Sequence, residues 1–276
     1  MTVRCEIVIA LVFDFDDTLA PDSTSKILEA VDVDPKSFWS RHRVLMAKGW
    51  DQVPAWMNLM MEESRQKGGA ITRDLIQEVG RGLSFFRGVQ SMFRRYRSLI
   101  EDEGGFKAHF YVVSSGLGDL IRATKIAGRL TDAWGSDFAY DRSGGICAIK
   151  NVISFTDKTR YLYQISKGII GPEARRDPFA VNRRSTDFPV PLKNMIFIGD
   201  GYTDIPCFTV VQKAKGRAVA VYDPGNRDKA GKAYGFIDER RVSHLEPAAY
   251  SKSSGADSAI TLAIGEIRRR VLSESP

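Results

Sequence analysis

With 276 residues, 43% of them apolar and 27% charged, the chain can bury a full core and has the composition of an ordinary globular protein. No apolar stretch reaches the roughly 18 residues that span a bilayer, and Arg4 followed by Ile7 to Phe13 reads as a strand rather than a signal peptide. A net charge of +6 dispersed over separate basic clusters suits an anionic small substrate and no nucleic acid or membrane partner, while three scattered cysteines point to reduced thiols in the cytoplasm.

Ile7 to Val12 is a short apolar run of the kind that forms a buried parallel strand. It leads into Phe13-Asp14-Phe15-Asp16-Asp17-Thr18-Leu19. Carboxylates at a strand end are costly unless neutralised, and the strand ends of an open α/β sheet are where ligands bind. Asp14 and Asp16 are two apart, which puts both on one face of an extended chain. That pair suits a Mg²⁺ site that handles phosphate. The other reading is a polar turn in which Asp17 or Thr18 caps the next helix.

From Pro21 to Gly88 the pattern is helical. Pro35, behind Asp32-Val33-Asp34, starts one helix; Gly68-Gly69 separates two more, and Thr72 can cap the second. Trp39, Trp50, Trp56 and the run Met57 to Met61 read as the core of a small helical unit. Alternation of strand and helix resumes at Gly88. A helix is expected over Val89 to Ile100, then a strand over Phe110 to Val113 running into Ser114-Ser115-Gly116. A helix over Leu117 to Leu130 follows, then a hairpin of Phe138 to Asp141 and Ile146 to Ile149. Thr156 or Asp157 caps a helix over Thr159 to Lys167.

Gly171 to Lys193 carries four prolines and four arginines. It enters the next strand at the end opposite the ligand edge, which points to a partner or homo-oligomer contact. That strand, Met195 to Ile198, ends in Gly199-Asp200-Gly201-Tyr202-Thr203-Asp204. Further strands are expected at Ala218 to Tyr222 and, at an edge, Phe236 to Asp238, with a final helix over Ser258 to Leu272. The alternation implies a doubly wound parallel sheet.

Four ordered motifs now stand together: Asp14-x-Asp16-x-Thr18, Ser114 behind a strand, Lys158 at a helix start, and Gly199-Asp200-Gly201-x-x-Asp204. They resemble the haloacid dehalogenase-like superfamily of hydrolases, and Phe86-Arg87-Gly88-Val89 is similar to the return from cap to core in its phosphoserine phosphatase-like branch. The resemblance implies a Rossmann-like α/β core domain over residues 1–20 and 89–276, with a small all-helical cap domain of C1 type over 21–88. It implies a Mg²⁺-dependent phosphomonoester hydrolase acting on a small phosphorylated metabolite.

In that scheme Asp14 is the nucleophile that forms an aspartyl phosphate, and Asp16 moves the proton. Mg²⁺ is held by Asp14, the backbone carbonyl of Asp16 and Asp200. Ser114 and the Ser115 amide hold phosphate oxygens, Lys158 offsets negative charge, and Asp204 supports the metal site or orients Lys158. Asp16 favours phosphoester over halide chemistry, because a departing halide needs no proton.

Other readings stay open for single residues: Asp204 as a helix cap, Ser114 as a turn residue, and Lys150 in place of Lys158. For the whole chain they are a phosphotransferase or phosphomutase using the same aspartyl phosphate, and a non-catalytic binding or regulatory protein on the same fold. The branch's substrate-reading Glu, nine residues after the nucleophile, corresponds to Ser23, so phosphoserine is not the expected substrate. Arg41, His42, Arg43 and Lys48 are the candidate specificity residues of the helical unit.

Overall fold

The computed structural model describes residues 6–102, 104–225 and 241–274. Seven strands, β1 (Ile7–Phe13), β2 (Phe106–Leu117), β3 (Asp132–Tyr140), β4 (Ile146–Asn151), β5 (Met195–Gly199), β6 (Arg217–Tyr222) and β7 (His244–Pro247), form one sheet. Its order is β4-β3-β2-β1-β5-β6-β7, parallel throughout except for the β3–β4 hairpin. β1 lies at the centre because its run is buried on both faces. Ile9, Leu11 and Phe13 join one core, and Val8, Ala10 and Val12 the other, as the two-residue side-chain period requires.

The chain leaves β1 for β2 on one side and later returns to β5 on the other, so the sheet's switch point falls beside β1. Phe13 pairs with Val112 of β2 and Ile198 of β5. Asp14 and Asp200, just past the ends of β1 and β5, therefore share one edge with Ser114, which lies within β2 two residues beyond Val112.

Between β1 and β2 the chain forms α1 (Ser23–Ala30), α2 (Pro35–Ala47), α3 (Gln52–Gln66), α4 (Arg73–Gly82) and α5 (Val89–Glu101). Their starts follow side-chain chemistry. Asp22 accepts the Ser25 N–H, Asp34 caps α2 ahead of Pro35, Asp51 caps α3 and Thr72 caps α4, each satisfying amides that a helix leaves open. The first cap is Asp22, not Asp17 or Thr18; the backbone of Asp17 instead turns through φ 57° and donates to the Ala20 carbonyl.

Phe38, Trp56, Met60 and Ile76 of these helices belong to the same core as Leu11 and Phe13. A second tie fixes them to the β3–β4 hairpin: Arg73 N–H donates to the Gly144 carbonyl and Ile146 N–H to that of Ile71. The helices are thus tied to the sheet by a shared core and by the hairpin as well as at their two connections.

Beyond β2 come α6 (Gly118–Ala123), α7 (Phe155–Ser166), α8 (Gly171–Arg176), α9 (Ile205–Lys213) and α10 (Gly255–Glu274). The helix expected over Leu117 to Leu130 stops at Ala123, where Thr124 turns extended and its hydroxyl donates to the Ile121 carbonyl. β3 starts at Asp132, six residues before the expected Phe138. Asp-Ala-Trp-Gly-Ser is a poor strand sequence, and pairing with β2 overrides its local preference. Ser154, not Thr156 or Asp157, precedes α7. The edge strand expected at Phe236 to Asp238 lies outside the described residues.

The segment after α7 ties back to the N-terminal end of the strands, with the Gly171 amide donating to Asp132 and Lys167 donating to the carbonyls of Val181 and Arg183. Among the described residues no helix is long and apolar enough to cross a membrane.

Candidate active site

β1 ends where its backbone still pairs with β5: Asp14 N–H donates to the Ile198 carbonyl at 2.8 Å. Asp14 is buried, one carboxylate oxygen accepting the Phe15 N–H at 2.7 Å and the other lying 2.9 Å from Lys158 Nζ. Lys158 stands in the first turn of α7, wholly buried, and also meets Asp204 at 2.7 Å. Burial alone would lower its pKa, but the two carboxylates outweigh burial and raise it, so the ammonium stays charged.

Asp204 is a hub. One oxygen takes Lys158, and the other accepts the amides of Asp200 and Gly201 at 3.0 and 3.1 Å. Burial pushes its carboxyl up to about 6 even with the ammonium beside it. Gly199 allows this arrangement, because a Cβ there would lie 2.4 Å from an Asp204 oxygen. Asp204 therefore shapes the turn after β5 and positions Lys158, while precedence over α9 is a matter of backbone, with no side-chain cap.

Asp14, Asp200 and Asp204 each bring a carboxylate oxygen within 4.8 Å of the others. Three carboxylates face one ammonium there, a surplus of negative charge that suits a divalent cation. The donor set is all oxygen, as a hard ion such as Mg²⁺ prefers. Asp204 is already engaged by three donors. The set fits Mg²⁺.

The Asp16 carboxyl turns away from that cluster and accepts the Ser23 amide at 2.8 Å. Dense surroundings, then the nearby charges of Asp22 and Asp14, push its pKa up to about 8 against the opposing Ser23 bond. It holds a proton at neutral pH. Gly116 makes room for it, since a Cβ at 116 would stand 2.3 Å from Asp16 Oδ2.

Ser114 and Ser115 sit where β2 loses its register against β3 between Val113 and Leu117. Ser114 Oγ accepts the Gly116 amide at 3.0 Å, which leaves its own proton free to donate. Ser115 Oγ is buried without a partner, an orphan that a phosphate oxygen would satisfy.

No family model matches the sequence. A protein of Borreliella burgdorferi, itself uncharacterised, is 25% identical over 277 residues, covering 90% of this chain and 94% of its own. Among solved structures, a probable phosphoserine phosphatase of Vibrio cholerae superposes with a TM-score of 0.61 at 14% identity, covering 97% of this chain and 69% of the other. A haloacid dehalogenase family hydrolase of Salmonella enterica serovar Typhi gives 0.59 at 13% identity, covering 92% and 70%. The fold is that of the haloacid dehalogenase-like hydrolases.

In this haloacid dehalogenase-like fold the helices α1 to α3 form one wall of a cleft of about 610 Å³ above Asp14, Asp16 and Asp200. Asp22, Trp39, Arg43, Gln52 and Trp56 line that wall. Of the four candidates named from sequence, only Arg43 reaches the cleft. Arg41 is engaged by Glu62 at 3.0 Å and by Glu63. His42 is buried, its Nε2 against the Gln52 carbonyl at 3.0 Å. Lys48 lies exposed at the end of α2. Ser23, at the position of the branch's Glu, is buried and serves Asp16 through its amide.

Two supporting residues were invisible in the sequence. Ser136 Oγ donates to the Ser115 carbonyl at 3.0 Å and accepts the Ile153 amide at 3.1 Å, bracing the turn of β2 against the entry to α7. Tyr250 donates to the Thr18 carbonyl at 2.8 Å and holds the turn after β1. Ser136 lies in the unrecognised part of β3, and a lone tyrosine 232 residues from its partner leaves no local pattern. Lys150, the rival of Lys158, is exposed on β4 and takes no part in the cluster.

Proposed function

We propose that the protein is a Mg²⁺-dependent phosphomonoesterase acting on a small phosphorylated metabolite, with residues 21–88 serving as its cap. One observation carries this reading: Asp14, a carboxylate held by the buried Lys158 ammonium, lies at the floor of one cleft with Asp200 and with Asp16, a second carboxyl two residues along the chain. An acid beside a nucleophile is what phosphoester cleavage requires.

Asp14 attacks phosphorus and forms an aspartyl phosphate as the bond to the leaving alkoxide breaks. Asp16 gives the alkoxide its proton. The resulting Asp16 carboxylate then takes a proton from water, which attacks the aspartyl phosphate and frees phosphate and Asp14. Ser114, the Ser115 amide and Ser115 Oγ hold the phosphoryl oxygens, and Lys158 keeps Asp14 in place and offsets the charge that builds on the phosphoryl group. Mg²⁺, held by Asp14, the Asp16 carbonyl and Asp200, would supply the charge that lets two anions approach. The helical wall limits water and reads the leaving group.

A panel of phosphorylated metabolites assayed with Mg²⁺ tests this, with Asp14→Asn as control. Phosphate release by the parent protein and none by the variant is expected; equal release by both would remove Asp14 from the chemistry.

A further inference from the structure

The cleft above Asp14 is acidic on its floor and basic at one point of its wall. Asp14, Asp16, Asp17, Asp22 and Asp200 line it, and among the described residues Arg43 is the one Lys or Arg side chain that does. Arg43 is exposed and, among the described residues, makes no hydrogen bond or ion pair. Arg41, two positions before it on α2, is taken by Glu62 and Glu63. A guanidinium keeps its charge at any physiological pH and presents a planar fork of donors. Arg43 brings that fork to the cleft unspent on the protein.

Trp39 lies four residues before Arg43, on the same stripe of α2. Its indole N–H is held by Asp22 Oδ2 at 3.0 Å and by Ser25 Oγ at 2.9 Å, so only ring surface is left for the cleft. Asp22 in turn stands close enough to Asp16 to help push its carboxyl up. Trp39 is thereby tied to the floor, and Arg43 stands about 6 Å further along the helix axis. Gln52 and Trp56 of α3 line the wall with them. His42 Nε2, 3.0 Å from the Gln52 carbonyl, brings the start of α3 against this turn of α2. The wall thus pairs aromatic surface with a guanidinium.

We propose, resting on the phosphomonoesterase reading, that Arg43 binds a second anionic group on the leaving moiety, so that the substrate is a phosphomonoester of a small alcohol bearing a carboxylate or another phosphate. The reacting phosphoryl group has Lys158, Ser114 and Ser115 on the floor. A second anion close to the floor would meet the carboxylates there. Carried away on a short apolar spacer along Trp39, it meets a guanidinium whose donors match carboxylate and phosphate alike.

The test uses alkyl phosphates with chains of about three to five carbons, a span set by that helical turn, ending in methyl, carboxylate or phosphate. With Mg²⁺, the best anion-ended ester is expected to exceed its methyl-ended counterpart about tenfold in kcat/KM, and its two forms tell carboxylate from phosphate. Arg43→Met should bring that ratio near one by lowering kcat/KM for the anion-ended ester, and Arg43→Lys should keep part of it. Titration calorimetry with the matching alkylphosphonates, which are not hydrolysed, reads the same ratio as binding. The role of Arg43 would be overturned by a ratio near one in the parent protein, by a ratio that survives Arg43→Met, or by equal losses for methyl-ended and anion-ended esters; hydrolysis itself would stand. Release of phosphate from none of the esters would instead strike the phosphomonoesterase reading, and the phosphonate ratio would then decide the ligand by itself, with no phosphonate binding overturning both.

Discussion

Asp16→Asn should make the protein less active and more stable at once. The Asp16 carboxyl titrates near 3.8 in an unfolded chain and near 8 in the folded one. At pH 7 the unfolded chain has therefore lost a proton that the folded chain keeps. Holding it across about three units costs about 4 kcal/mol, at 1.36 kcal/mol per unit. Asp16 retains some surface on the cleft, where water relieves part of that cost, so a gain of about 2 kcal/mol is expected on removing the charge. The sign is set by the raised pKa: the penalty is absent below about pH 4, grows as pH rises, and levels off above about 8.

Asparagine keeps the oxygen that accepts the Ser23 amide, so the local geometry survives. The gain corresponds to roughly 5 °C in melting temperature for a chain of this size. Turnover of alkyl phosphates should fall by about 10²–10⁴, the usual worth of a positioned acid and base. Aryl phosphates, whose leaving groups need no proton, should suffer less in the first step. Thermal melts in chelator at pH 5, 7 and 9, with turnover of both ester classes, measure all of this. A variant that melts lower at pH 7, or that hydrolyses alkyl esters at the parent rate, would refute the assignment of Asp16.

Three further outcomes are expected. Gly116→Ala should displace the Asp16 carboxyl, since the new Cβ would stand 2.3 Å from its oxygen, and lose activity about as deeply as Asp16→Asn while binding Mg²⁺ normally; near-parent turnover would show that the pocket yields. Lys158→Met should leave Asp14 and Asp204 buried without their ammonium and destabilise the fold by about 3–5 kcal/mol, measured by urea unfolding, with Asp204→Asn in the same chain recovering part of the loss. Chelation should stop turnover and Mg²⁺ restore it, and Mg²⁺ should raise the melting temperature of the parent protein but not of Asp200→Asn.

How much of this was legible in the sequence depended on whether a signal was local. β1 and the strand before Gly199 announced themselves as apolar runs, and Asp34, Pro35 and Thr72 marked helix starts by chemistry that acts within one turn. The order of the motif residues followed, because strand ends at one sheet edge bring distant positions together. Asp132 to Ser136 was illegible: its strand state comes from β2, not from its own residues. For the same reason Ser136 and Tyr250 escaped notice, since each acts through a partner far along the chain. The helical wall carried several basic residues, and only packing decides that Arg43 faces the cleft while Arg41 is engaged by Glu62 and Glu63.

The central claim is that Asp14 carries the phosphoryl group during turnover. Rapid acid quench of the Mg²⁺-loaded enzyme during hydrolysis of an aryl phosphate, followed by peptide mass spectrometry, reads this directly. A phosphate on the peptide spanning Ile7 to Leu19, located at Asp14 and absent from Asp14→Asn, is the predicted result. Steady turnover with that peptide unmodified, or with the phosphate on another residue, would contradict it.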